Sequence, residues 1–240
     1  ERTRQLRDVQ EELVRKEKMS IVGELSSSVG HELRNPLGVM SNAVFFLKIL
    51  HADADTTTRE YLEIIKQEID TSLRIITDLL DFAQIQSPQR QPVNVAELVR
   101  HALGTCTIPG NVTVIVAIPA EVPTLDVDRT QLEQVLANCF TNAVQAMPEG
   151  GTLRVAAQSP STDANNFVEI AVTDSGEGIA PENLGHIFQP LFSTRINGLG
   201  LGLVVSKNLV EANGGRINVE SEWGKGATFT LQLPVEKEEK

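Results

Sequence analysis

From Val22 to Ala83 the apolar residues recur in steps of three or four, and after Pro92 that rhythm stops. Val22, Leu25, Val29, Leu33, Leu37, Met40, Val44 and Leu47 fall on one stripe of a helix. A sparser version begins at Leu6, Val9 and Leu13, so residues 1 to about 50 read as one long helix. The polar stretch His51 to Thr58 interrupts it, and Thr57 with Glu60 suggests the capping box of a second helix. This helix carries Leu62, Ile65, Ile69, Ser72, Ile76, Leu79 and Ala83 and stops near Ser87-Pro88. Two long amphipathic helices with a short connection predict an antiparallel hairpin. One hairpin cannot bury so wide a stripe, so pairing of two copies into a four-helix bundle is expected.

Ser87 to Pro92, with two prolines, reads as a linker. Beyond it, Val112, Val114, Val116 and Ile118 alternate as in a strand. Asp128 with Gln131 predicts the cap of a helix running to about Ala146. Strand patterns follow at Leu153 to Ala157, Phe167 to Thr173, Arg216 to Val219 and Ala227 to Leu233. A further helix begins after the glycines near Gly200 and ends at Gly214-Gly215. Strands interleaved with a few helices predict an α/β sandwich, one helical layer on a mixed sheet.

The charge balance limits what this chain binds. With 21 Lys and Arg against 32 Asp and Glu, the formal charge is -11, which disfavours general nucleic-acid binding. Cys139 lies on the stripe Leu132, Leu136, Cys139, Ala143 and reads as a reduced core thiol. No run reaches the roughly 18 apolar residues of a membrane span, and no signal peptide is evident. A chain that opens at Glu1 in a charged helical pattern looks like part of a longer protein, so a cytoplasmic fragment with an upstream sensor or anchor is expected. His51, His101 and His186 sit in no motif, no Cys/His cluster suggests zinc, and Trp223 is expected to pack near its glycine turn.

His31 is two positions from Leu33, roughly 200° around the helix, so it should face water, with Asn35 one turn further on the same face. Pro36 cannot donate to the carbonyl of Glu32, which predicts a bend. The string Ser28-Val29-Gly30-His31-Glu32-Leu33-Arg34-Asn35-Pro36-Leu37 resembles the phosphoacceptor box of the HisKA-type sensor histidine kinases. That resemblance implies that His31 is the nucleophile and phosphoacceptor. Neutral imidazole is a good nucleophile near pH 7, and Glu32 can hold the proton of its other nitrogen. Asn35 would position water for dephosphorylating the partner.

Three further patterns bear on a nucleotide. Asn138 and Asn142 share a helical face, and amide oxygens are hard ligands suited to Mg²⁺. Asp174-Ser175-Gly176-Glu177-Gly178 follows a strand, where a carboxylate can accept from an exocyclic amine and glycines admit a flat ligand. Gly198-Leu199-Gly200-Leu201-Gly202 opens a helix whose free N–H groups suit phosphate. In this order, with Ile187-Phe188-Gln189-Pro190-Leu191-Phe192 between the second and third, they resemble the boxes of the GHKL (Bergerat) ATP-binding fold. The resemblance implies that Asn142 and Asn138 serve Mg²⁺ and phosphates, that Asp174 reads adenine, and that Gly176 and Gly178 shape the base pocket. It implies that Gly198, Gly200 and Gly202 flank the phosphates and that a lid spans about Gly185 to Asn197. Phe188, Thr194, Arg195, Lys207 and Thr228 complete the expected nucleotide set, the last in Gly224-Lys225-Gly226-Ala227-Thr228-Phe229, which matches the family's closing turn and strand. Two departures are visible: Gln145 stands where many relatives are basic, and the lid is short.

GHKL ATPases of the gyrase, chaperone and mismatch-repair types carry a water-activating glutamate four residues before the metal asparagine. Asn138 stands there, and a neutral amide is a poor general base. The expectation is therefore an α+β multidomain chain: residues 1–18 a coiled-coil-like signalling helix, 19–88 a dimerisation and phosphotransfer hairpin, and 92–236 an ATP-binding domain. It would use ATP and Mg²⁺, form a homodimer, and pass phosphoryl from His31 to an aspartate of a response regulator, with phosphatase activity toward that regulator as a second capability. No membrane contact is expected within the fragment. The rival readings are an inactive or phosphatase-biased ATP-binding scaffold and a non-enzymatic docking module.

Overall fold

The computed structural model describes residues 32–83, 87–159, 167–194 and 200–236, in two compact units taken separately below. His31 and the helix expected over residues 1–31 lie outside the described residues.

The first unit is a helical hairpin of α1 (32–50) and α2 (Thr56–Ala83). The start of α1 meets the end of α2, where Arg34 Nη2 donates to Thr77 Oγ1 (3.5 Å), and its end meets the start of α2, where Lys48 pairs with Glu63 (2.5 Å). The helices are therefore antiparallel. Val44, Leu62 and Ile69 form the buried seam, with Leu37 and Leu73 packed against it. The cap of α2 differs from the expected Thr57–Glu60 box. Asp55 accepts both the backbone N–H (2.8 Å) and the hydroxyl (3.0 Å) of Thr58. A carboxylate directly before the first turn satisfies an orphan N–H, which puts Thr57 and Glu60 inside the helix.

Among the described residues, part of the stripe stays in water. Leu33 and Met40 are each 47% exposed, Leu47 and Ile65 are also exposed, and beside the stripe Phe45, Phe46 and Leu50 are exposed too. Two helices bury only the sector where they touch.

In the second unit, β1 (Gln91–Val93) pairs antiparallel with β3 (Leu125–Val127) as a small ribbon. The main sheet has the order β2-β4-β5-β7-β6, from β2 (Val112–Ala117), β4 (Gly151–Gln158), β5 (Phe167–Asp174), β6 (Arg216–Glu222) and β7 (Gly226–Pro234). Among the described residues, the β2–β4 pair is parallel and the other pairs of this sheet are antiparallel. Helix α4 (Arg129–Gln145) lies on β4 and β5, flanked by α3 (Val95–Thr105) and α6 (Gly202–Ala212); α5 (Pro181–Leu184) is a single turn. Val168, Ile170 and Val172 of β5 and Leu132, Leu136 and Phe140 of α4, which packs on that strand, are all closed to solvent. This is the expected α/β sandwich.

The helix ends follow the sequence signals. Asp128 caps α4 by accepting from Gln131 N–H (3.1 Å). Helix α6 ends in a Schellman motif, Gly215 N–H to Val210 O and Gly214 N–H to Glu211 O, both 2.9 Å, with Gly214 at φ 80°. The linker is held here too: Gln89 N–H donates to Asp128 Oδ2 (2.8 Å) and Arg90 to Ala212 O (3.2 Å). Trp223 departs from expectation. It sits in the β6–β7 turn, 61% exposed, because a short turn between antiparallel strands has no facing layer to pack on.

Candidate functional site

Even-numbered residues of β5 point toward the helices, so the last of them, Asp174, ends on the helical side of the sheet and is buried. Its Oδ1 accepts from Gly176 N–H (2.9 Å) and Ala227 N–H (3.3 Å). The loop beyond it is clamped from two sides. Glu177 N–H donates to Ala146 O (3.1 Å) at the end of α4, and Gly224 N–H donates to Glu177 O (2.7 Å) from the β6–β7 turn. A Cβ on Gly176 would strike Ala146 O, and one on Gly178 (φ 70°) would strike Glu222 O. These two glycines are required by close backbone approach.

Asn138 and Asn142 stand together on α4, the amide of Asn142 donating to Asn138 Oδ1 (3.5 Å). Asn138 Nδ2 also donates to Ser206 Oγ on α6 (2.9 Å), and a Cβ on Gly202 would come within 2.7 Å of Asn138 Oδ1. The glycine opening of α6 is thus pressed against the asparagine pair. Asn138 is a neutral side chain held between two helices, which leaves nothing basic at its position.

Phe188 lies under Lys207, whose ammonium is 5.7 Å from the ring centroid, so a residue of the expected lid meets α6. Thr194 is exposed and Gly200 has φ 66°; both lie on the segment joining the two stretches of the α/β unit, while Arg195 and Gly198 lie outside the described residues. Thr228 is not brought to Asp174. It pairs with Thr173, and the two hydroxyls bond at 3.0 Å on the sheet face opposite Asp174. Ala227 takes the inward position, since side chains alternate along β7. On the hairpin, Glu32 and Asn35 are exposed near the start of the described part of α1.

Three residues absent from the expected set support the site. Ser206 holds Asn138. Ser221 Oγ accepts from Ile179 N–H and donates to Gly226 O, both 2.8 Å, tying the Asp174 loop to the closing turn. Asn213 is fully buried beside the start of α4. Only Ser221 left a sequence signal, its place three residues before the glycine turn.

The fold and these residues define a GHKL-type nucleotide-binding domain joined to a helical hairpin that carries a phosphoacceptor motif. Comparison with known proteins agrees. The family model "His Kinase A (phospho-acceptor) domain" matches residues 21–88, and "Histidine kinase-, DNA gyrase B-, and HSP90-like ATPase" matches residues 127–237. Sensor histidine kinase ZraS of Escherichia coli (strain K12) is 37% identical over 98% of this chain and 50% of its own length. Among solved structures, full-length ShkA in complex with AMPPNP superposes with TM-score 0.69 at 26% identity, covering 88% of this chain and 46% of that one. Histidine kinase ThkA in complex with response regulator protein TrrA gives TM-score 0.62 at 26% identity, over 98% of this chain and 68% of that one. This chain belongs to the sensor histidine kinase family. It spans about half the length of the curated relative named here. No helix among the described residues is long and apolar enough to cross a membrane.

Proposed function

We propose that this chain binds ATP, phosphorylates its own His31 and passes the phosphoryl group to an aspartate of a response regulator. The observation that carries this reading is Asp174, a buried carboxyl fixed by two backbone donors, in the same domain as an asparagine pair pressed against a glycine helix start. The residues fit a nucleotide: a carboxylate for an exocyclic amine, glycine surfaces for a flat base, and the N-terminal N–H groups of α6 for phosphate. Asn142 and Asn138 would hold Mg²⁺, which neutralises phosphate charge when bound. Thr228 is left out of the set, because its side chain occupies the other sheet face.

In the reaction the unprotonated ring nitrogen of His31 forms a bond to the γ-phosphorus as the bond to the β–γ bridging oxygen breaks, and ADP leaves. Glu32 holds the proton on the other ring nitrogen and stabilises the charge that develops there. With an amide at Asn138 in place of a base, water is poorly activated and the γ-phosphoryl is kept for the histidine. The receiving regulator is supported by the ThkA–TrrA complex. The homodimer is supported by the exposed apolar residues of the hairpin. A phosphatase capability rests on Asn35, an exposed amide on the phosphoacceptor helix.

Incorporation of γ-labelled phosphate from Mg²⁺-ATP tests this. Acid-labile, alkali-stable label in the wild type and none in His31→Gln is expected. Nucleotide binding without label would overturn the autokinase reading in favour of a scaffold.

A further inference from the structure

Helices α4 and α6 run antiparallel and are pinned at two places. The first is the nucleotide end, where Gly202 and Ser206 of α6 meet Asn138. The second lies about three turns along α6, at Asn213. There Asn213 Oδ1 accepts the backbone N–H of Asp128 (2.7 Å), while its Nδ2 donates to Gln131 Oε1 (2.8 Å) and Leu209 O (2.9 Å). Every donor and acceptor of the amide is used, and the residue is 0% exposed. Asp128 is the cap of α4 and Gln131 lies in its first turn, so one side chain locks the end of α6 to the start of α4.

We propose that Asn213 is a positioning residue for the nucleotide site, setting the register of α6 against α4 and hence the fit of the Gly202 opening to Asn138 and Asn142. A stiff helix held at both ends keeps its place; released at the Asn213 end, it can pivot about the contacts at the nucleotide end. Gly202 has little room for a shift, since a single added carbon there would lie 2.7 Å from Asn138 Oδ1. The remote amide therefore acts on nucleotide affinity without touching nucleotide. This rests on the ATP-binding reading above.

The test uses the full chain and calorimetric titration with Mg²⁺-AMPPNP, well below each variant's Tm. Asn213→Ala is expected to raise Kd at least about fivefold, the lower edge of typical coupling between sites. Gln131→Ala, which removes one acceptor and leaves the core filled, should raise it in the same direction by less. Gln131→Glu keeps the acceptor and should restore affinity to within about twofold of wild type. Unchanged Kd in folded Asn213→Ala, with only a lower Tm, would overturn the proposal and make the residue structural. Should Asn213→Ala not fold, an unchanged Kd in Gln131→Ala overturns it equally. Failure of the wild type to bind AMPPNP would sink the nucleotide reading, and this inference with it.

Discussion

Asp174 is a carboxyl group taken out of water and tied to main-chain donors, an arrangement that suits recognition of a ligand amine. An amide in its place would still accept from Gly176 and Ala227 with its oxygen, but would turn its NH₂ toward any incoming amine. Asp174→Asn is therefore expected to weaken ATP binding by about ten- to a hundredfold, the cost of unpaired buried donors, while far-UV circular dichroism stays native. Calorimetric titration checks it, and unchanged affinity would remove Asp174 from the site. Cys139 makes a second residue-level expectation. Burial pushes its thiol up to about 12, so it should resist a thiol reagent at pH 8 until the protein unfolds. Asp174 was legible as a candidate because a strand pattern runs directly into Asp-x-Gly-x-Gly. Thr228 was misassigned because a motif names positions in sequence, whereas a strand assigns alternate positions to opposite faces. The inward run Phe229, Leu231, Leu233 already placed Ala227, not Thr228, on the side of Asp174.

At the scale of single elements, the helix ends carry the sharpest expectations. Asp55 lies below its ordinary value of 3.8, first through the Thr58 backbone N–H and then through the Thr58 hydroxyl. A lowered folded pKa means that the cap's contribution is present above pH 3.8 and is lost as the pH falls through the folded value. Asp55→Ala should therefore lower the Tm of the hairpin at pH 7, and the gap from wild type should shrink below pH 3.8. An Asp55 NMR titration midpoint at or above 3.8 would contradict this. Gly214, at φ 80°, ends α6, and an alanine there costs about 1–2 kcal/mol. The Tm of the α/β unit should fall by roughly 2–8 °C in Gly214→Ala. Both ends of α6 and the cap of α4 were readable, since glycine and aspartate act on their immediate neighbours. The α2 cap was misread because two overlapping signals, Asp55 and Thr57–Glu60, compete within one short break, and the stronger acceptor won.

For the molecule as a whole, the exposed part of the hairpin stripe is the feature with the largest consequence. Leu33, Met40, Leu47 and Ile65 share the helical spacing of the buried Val44, Leu62 and Ile69, yet a lone hairpin leaves them in water. In solution the chain should have the mass of two 26.2 kDa copies by light scattering. Paired charges, Met40→Glu with Leu47→Glu, should shift it to one copy, because burying an unpaired carboxylate is strongly unfavourable. A dimer unaffected by both changes would place the interface elsewhere.

Rhythm and punctuation belong to the chain alone. The step of three or four along the hairpin, the alternation along the strands and the glycine helix stop at Gly214-Gly215 act through neighbours in sequence, so they could be read without coordinates, and the motif strings marked Asp174, Asn138 and Asn142 as candidates. Tertiary structure decided what depends on neighbours across space. It set Thr228 on the far face of the sheet, left Trp223 in water and brought Asn213 under the first turn of α4. It also divided one continuous apolar stripe into a buried seam and an open face, because burial is a property of the packing partner and not of the residue.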